Sequence, residues 1–145
     1  MHDRLRGPRP VPDLHHRLPA VATRLPPLRQ ALTDWAHHAG LSAERIDAIT
    51  LATTEAMANV VRHAYDTIGI LDLHATNTGR QVTVTVTDYG HWKSPRQPRD
   101  RFAGRGVLLI HALTDHARIT TTAEGTTVRM TWRHHPQHQP GGSPW

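Results

Sequence analysis

Between Glu44 and Tyr65 the chain places Ile46, Ile49, Thr53, Ala56, Met57, Val60 and Ala64 at steps of three and four. That spacing gives one buried face of an amphipathic helix. A shorter helix is predicted upstream, where Leu28, Ala31, Leu32, Trp35 and Ala36 form an apolar stripe. Pro26-Pro27 suits its first turn and Gly40 its end. Ser42 stands where the longer helix needs an N-cap. After Tyr65 the period changes to two. Residues 70–75 alternate loosely, and 81–88 alternate cleanly, with Val82, Val84 and Val86 on one face and Thr83, Thr85 and Thr87 on the other. The Asn77-Thr78-Gly79-Arg80 stretch between them suits a hairpin turn. Residues 107–113 read as a short apolar helix. Ala117, Ile119 and Thr121 then alternate with Arg118, Thr120 and Thr122, and Glu124-Gly125 turns the chain into a last strand over 126–132. A short edge strand is predicted over 14–18, closed by Pro19.

These elements predict an α/β two-layer sandwich, with a mostly antiparallel sheet of four to five strands covered on one face by three helices. The covered face is rich in Val, Ile, Met and Trp, and the other face in Thr and Arg. Strands and helices do not alternate strictly, which argues against a doubly wound parallel sheet. The domain is expected over 14–133. Residues 1–13 are rich in Pro and Arg, residues 134–145 in His, Pro and Gly, and both are expected to be disordered tails. Residues 91–105 show no periodicity and carry two Pro and five Arg or Lys. A loop of that length in a small domain is expected to be functional or mobile.

Composition narrows the chemistry. The 145 residues are enough for one domain with its own core, and the absence of Cys excludes disulfides, a thiol nucleophile and cysteine metal sites. No run approaches a membrane span and the N-terminus has no apolar signal region, so a cytoplasmic protein is expected. A formal charge of +5 favours anionic partners. Direct nucleic-acid binding is not expected, because one Phe and two Tyr offer no stacking platform. The thirteen His are scattered, and their adjacent pairs do not face one way, so they build no expected metal site.

Three short stretches carry candidate chemistry. Glu55, Asn59 and His63 are four residues apart and share a helix side among the small residues Ala52, Ala56 and Ala58. A carboxylate and a carboxamide oxygen side by side suit magnesium or its waters, although such a pair is more commonly part of a solvated face. Gly104-Arg105-Gly106 precedes a helix whose free N–H groups suit an anion. Asp88-Tyr89-Gly90 ends a strand, and taken alone it reads as a plain turn. No Gly-x-x-x-x-Gly-Lys-Ser/Thr is present, which excludes a P-loop enzyme.

Taken together and in order, these stretches resemble a known set of boxes. Glu55-x-x-x-Asn59-x-x-x-His63-Ala64-Tyr65 is similar to the N-box of the GHKL ATPase superfamily, which includes gyrase, chaperone, histidine kinase and mismatch-repair ATPases. Asp88-Tyr89-Gly90 is similar to the G1 box, Gly104-Arg105-Gly106-Val107 to the G2 box, and Gly125-Thr126-Thr127-Val128 to the closing Gly-Thr strand. The stretches 55–65, 104–115 and 125–130 further resemble stand-alone bacterial anti-sigma factors that are also serine kinases of the switch-protein family. The resemblance implies that Asn59 holds the magnesium bridging the phosphates of ATP, and that Asp88 accepts from the adenine amino group while Gly90 lets the base approach. It implies phosphate contacts from Gly104 and Gly106, support for adenine from Thr126, and Glu55 as general base. His63, Arg105 and Val107 fall in the same nucleotide-binding boxes, and one of Arg96, Arg99, Arg101 and Arg105 is a candidate for the γ-phosphate. The implied cofactors are ATP and Mg2+. The implied partners are a sigma factor, an anti-anti-sigma antagonist and a second copy in a homodimer. Trp92 stands where many relatives carry a further glycine, which keeps open a binding-only regulatory module without kinase activity.

Overall fold

A computed structural model of the chain describes residues 11–65, 69–91 and 105–134. Strand β1 (Leu14–Pro19) leads through a 3-10 turn (Ala22–Arg24) into α1 (Leu25–His38), followed by α2 (Ala43–Asn59) and a π turn (Val60–Ala64). Then come β2 (Ile70–Asn77), β3 (Gln81–Asp88), α3 (Arg105–Leu113), β4 (His116–Thr122) and β5 (Gly125–Arg133). The five strands pair only antiparallel, in the order β1-β2-β3-β5-β4. β1 and β4 are therefore the edges, and β5 is inserted between β3 and β4.

Local sequence accounts for the element ends. Pro26 and Pro27 occupy the first turn of α1, where their missing N–H groups cost nothing. Gly40, at φ 79°, takes the left-handed conformation that stops α1. Ser42 caps α2, its hydroxyl accepting from the Arg45 N–H at 3.1 Å. Arg45 also ties α2 to the far end of the sheet, donating to the Arg133 carbonyl at 2.7 Å and pairing with Asp115 at 3.3 Å.

The core lies between the helices and one sheet face. Leu28, Leu32, Trp35 and Ala36 of α1 and Ile46, Ile49, Ala52, Ala56 and Met57 of α2 meet Leu71, Leu73, Ala75, Val82, Val84, Val86, Val128, Met130 and Trp132. The opposite face of β2–β5 carries Thr76, Thr83, Thr85, Thr87, Thr127 and Thr131 with Arg118 and Arg129, the Thr- and Arg-rich face expected from the alternation.

Three local features differ from the sequence reading. The helix expected to run to Tyr65 changes to a π turn after Asn59. Two successive β-branched residues, Val60-Val61, weaken the α-helical ladder there, and the Ala64 carbonyl accepts instead from the His91 N–H at 2.8 Å. α3 starts at Arg105, earlier than expected, because a glycine in a first turn breaks no ladder bond. Asn59, for which a place on a solvated face is the plain alternative to a magnesium ligand, is buried at 3% exposure because the first turn of α3 comes over it.

Candidate functional site

One group of residues assembles along the C-terminal half of α2 and a second at the end of β3. In the first, α3 brings its opening turn against the α2 motif. A Cβ placed on Gly106 would lie 2.6 Å from Glu55 Oε1 and 3.7 Å from Asn59 Nδ2. The missing side chain leaves room over a carboxylate and a carboxamide, beside the unladdered N–H groups of a helix start. Asn59 Oδ1 accepts from Arg62 Nη2 at 3.1 Å. That leaves a second lone pair on the same oxygen for a further donor or a metal. Toward this space Glu55 presents Oε1 and Asn59 its Nδ2; with the carboxamide turned to present its oxygen, the pair beside the helix-start donors would fit a magnesium–phosphate group.

The second group is built at the end of β3. Asp88 is 1% exposed, and its Oδ1 accepts from the Gly90 N–H at 3.0 Å and the Thr126 N–H at 3.3 Å. Thr126 faces Asp88 across the β3–β5 ladder and is itself buried. A buried carboxylate fixed by two backbone donors is a rigid acceptor, suited to reading an N–H donor.

The two groups are joined by the π turn. His91 donates to the Ala64 carbonyl, and a Cβ on Gly90 would collide with that carbonyl and with the Tyr65 ring. The Tyr65 hydroxyl accepts from the Tyr89 N–H at 2.7 Å and donates to the Ile70 carbonyl at 2.6 Å. On the open face of the sheet, Tyr89 Oη donates to Asp72 Oδ2 at 2.6 Å, and Arg17 lies 5.3 Å from the centre of the Tyr89 ring. Asp72 also meets His15 at 3.0 Å and Arg17 at 3.6 Å. Burial works to raise the Asp72 carboxyl, but the Tyr89 hydroxyl, the His15 bond and the Arg17 charge outweigh it and hold it below the usual carboxylate range. The same Asp72 bond holds the Tyr89 phenol above its ordinary value.

The structure thus places Glu55, Asn59 and Gly106 together, and Asp88, Gly90 and Thr126 together. Val107 is half-buried in the first turn of α3, and His63 is half-buried within the π turn. The backbone of Arg105 opens α3. Gly104, Trp92, Arg96, Arg99 and Arg101 lie outside the described residues. Sequence reasoning missed three contributors: Arg62, Tyr65 as a bridge, and the Asp72–Tyr89 pair. The Asn59-to-Arg62 spacing was visible as an i,i+3 pair; the other two depend on the π turn and on strand pairing.

Residues 18–132 match the family model described as the histidine kinase-like ATPase domain. The chain belongs to this family. It is 27% identical over 132 residues to the serine-protein kinase RsbW of Staphylococcus aureus strain JH9, covering 79% of this chain and 82% of that protein. Its fold matches the crystal structure of the RsbU and RsbW domains of Rv1364c from Mycobacterium tuberculosis with a TM-score of 0.71 and 29% identity, over 85% of this chain. The match spans 32% of that larger chain. The histidine kinase domain of a blue-light activated histidine kinase from Erythrobacter litoralis shares the fold at 20% identity and a TM-score of 0.55. Membership of this family agrees with the expected resemblance and with the α/β sandwich described above.

Proposed function

We propose that this chain binds Mg2+-ATP and transfers the γ-phosphoryl group to a serine or threonine of an anti-anti-sigma protein, and that it also sequesters a sigma factor. The observation that carries this reading is the approach of Gly106 at the start of α3 to Glu55 and Asn59. In this reading Asn59 holds the magnesium, which when bound neutralises charge on the phosphates. The opening N–H groups of α3 receive the phosphate oxygens. Asp88 accepts from the adenine amino group, with Gly90 giving the base room and Thr126 keeping the carboxylate in place. Glu55 removes the proton of the substrate hydroxyl as its oxygen bonds to the γ-phosphorus. The bond from phosphorus to the β,γ-bridging oxygen breaks and ADP leaves. Such transfer depends on positioning and charge, so one base and one metal ligand suffice.

The resemblance to switch-protein kinases supports the sigma-factor and antagonist partners, and the open Thr/Arg face of the sheet offers surface for them or for a second copy. The working unit is residues 14–133. Among the described residues no helix is long and apolar enough to cross a membrane, in keeping with work beside sigma factors in the cytoplasm. The Arg62 bond to Asn59 Oδ1 is the feature that favours a binding-only module, because it occupies part of the metal ligand.

The test is transfer from radiolabelled ATP to candidate antagonist proteins of the same genome. Glu55→Gln keeps size but cannot accept a proton, so transfer should slow roughly 10²–10⁴-fold with ATP binding nearly intact. Asn59→Ala should lose magnesium-dependent binding and transfer together. If no antagonist is labelled while ATP still alters sigma-factor binding, the binding-only module stands. If Glu55→Gln is as fast as the parent, Glu55 is not the base.

A further inference from the structure

Strand pairing holds Asp88 itself and goes no further, so the turn that follows it, and that donates to its carboxylate through Gly90, must be held by something other than the sheet. The first residue past the strand, Tyr89, has its N–H satisfied by the Tyr65 hydroxyl, whose own proton goes to the carbonyl of Ile70, the first residue of β2. A single side-chain oxygen therefore spans the start of β2 and the end of β3. The Tyr65 ring lies in a slot made by two absent side chains, since a Cβ on Gly69 or on Gly90 would run into it. Neither glycine has a positive φ, so room for the ring, not backbone freedom, is what these positions supply. On the other side the turn is anchored by the Tyr89 hydroxyl on Asp72.

Tyr65 also follows the π turn directly, and that turn begins one residue after Asn59. The backbone linking Asn59 to Tyr65 is five residues long and carries the Ala64 carbonyl that receives His91. Tyr65 is thus the side chain through which the phosphate-side helix meets the base-side turn. The geometry points to Tyr65 as a positioning residue that fixes where Asp88 presents its carboxylate, and so sets the preference for adenine over guanine nucleotides. This rests on the nucleotide reading above. Tyr65 itself touches neither base nor phosphate in that reading. It acts on Asp88 by holding Tyr89 and Gly90, and Gly90 in turn donates to Asp88 Oδ1.

Tyr65→Phe tests this, because it keeps the ring in its slot and removes the bridging oxygen. Calorimetric titrations of the full chain with magnesium would compare ATP, GTP and inorganic tripolyphosphate. The variant loses both bonds of the hydroxyl, and the shift this allows at Asp88 should weaken ATP binding roughly 3- to 10-fold, about the worth of one hydrogen bond to the base, with tripolyphosphate affinity unchanged and the ATP-to-GTP ratio reduced. A merely structural tyrosine would lower the melting temperature and weaken all three ligands alike, and that result, or an unchanged ATP-to-GTP ratio, overturns the inference. Amide hydrogen exchange in ligand-free protein provides a second arm. The Tyr89 amide should exchange faster in Tyr65→Phe while that of Val84, in the middle of β3, does not change. If the parent protein binds no adenine nucleotide, the proposed function fails, and exchange alone then decides: a Tyr89 amide protected equally in both proteins overturns the positioning role.

Discussion

Asp88→Asn is the substitution whose outcome the structure specifies most closely. The side chain is 1% exposed, and Oδ1 accepts two backbone N–H groups, from Gly90 at 3.0 Å and from Thr126 at 3.3 Å. Asparagine has the same shape, and its single carbonyl oxygen can keep both of those bonds. What changes is the other end of the group, where an NH2 replaces an oxygen. Adenine offers an amino donor at its six-position and guanine a carbonyl acceptor. In the proposed nucleotide reading, a donor would then face the adenine donor, leaving both unmatched in a buried setting. That mismatch costs about 1–3 kcal/mol, or roughly 5- to 150-fold in ATP affinity. The same NH2 can donate to the guanine carbonyl, so GTP should lose less than ATP, and the preference should narrow or reverse. Calorimetry with both nucleotides and magnesium measures this, with a thermal melt to show that the variant is folded. ATP affinity equal to that of the parent would refute the assignment of Asp88 as the base-reading group. Equal loss of both nucleotides with a collapsed melt would reduce Asp88 to a structural role.

Two further outcomes concern stability. Thr53 is fully buried in α2, and among the described residues its Oγ1 has no hydrogen-bond partner, so Thr53→Val should stabilise the fold by about 1 kcal/mol. A higher denaturant midpoint with an unchanged slope supports this, and a lower midpoint contradicts it. Asp72 has a folded pKa depressed below its ordinary value. Its contribution to stability should therefore be fully present above the unfolded value of about 3.9, and be lost as pH falls through the lower folded value. Asp72→Asn should accordingly be less stable than the parent at neutral pH, with the gap closing below about pH 4. A gap that stays constant in urea melts across that range would show that the ionised carboxylate contributes nothing.

The two-layer fold was legible because its signals are local and agree with one another. The i,i+3/i+4 series through Ile46, Ile49, Ala56 and Met57 and the strict alternation of Val82, Val84 and Val86 each specify an element and its buried face. The Ser42 cap and the Gly40 stop mark boundaries in the same way. The order of the strands was not legible. Nothing local states that β5 inserts between β3 and β4, yet that insertion is what sets Thr126 opposite Asp88. Asn59 shows the same limit from another side. Its position on the helix followed from spacing, but its burial is caused by α3, which lies more than forty residues further along the chain. Tyr65 was visible only as a letter in a motif. Its role needs a π turn, glycines at 69 and 90 and the start of β2 at once.

The glycines of the site have a common physical reading that differs from flexibility. Gly106 leaves out the atom that would press on Glu55, and Gly90 the atom that would strike the Ala64 carbonyl. Gly125, at φ 145°, leaves out the atom that would strike the Asp88 carbonyl, and it also takes a conformation that other residues rarely adopt. Each glycine lies in or beside a different element, at a point where a Cβ would meet Glu55, the Ala64 carbonyl and Tyr65 ring, or the Asp88 carbonyl. A helix start, a strand end and a hairpin can converge on Glu55, Asn59 and Asp88 only if none of the three brings a side chain to the meeting point. The motif glycines therefore report distance between elements, and alanine at Gly106 or Gly90 would push apart the groups that the proposed nucleotide would touch together.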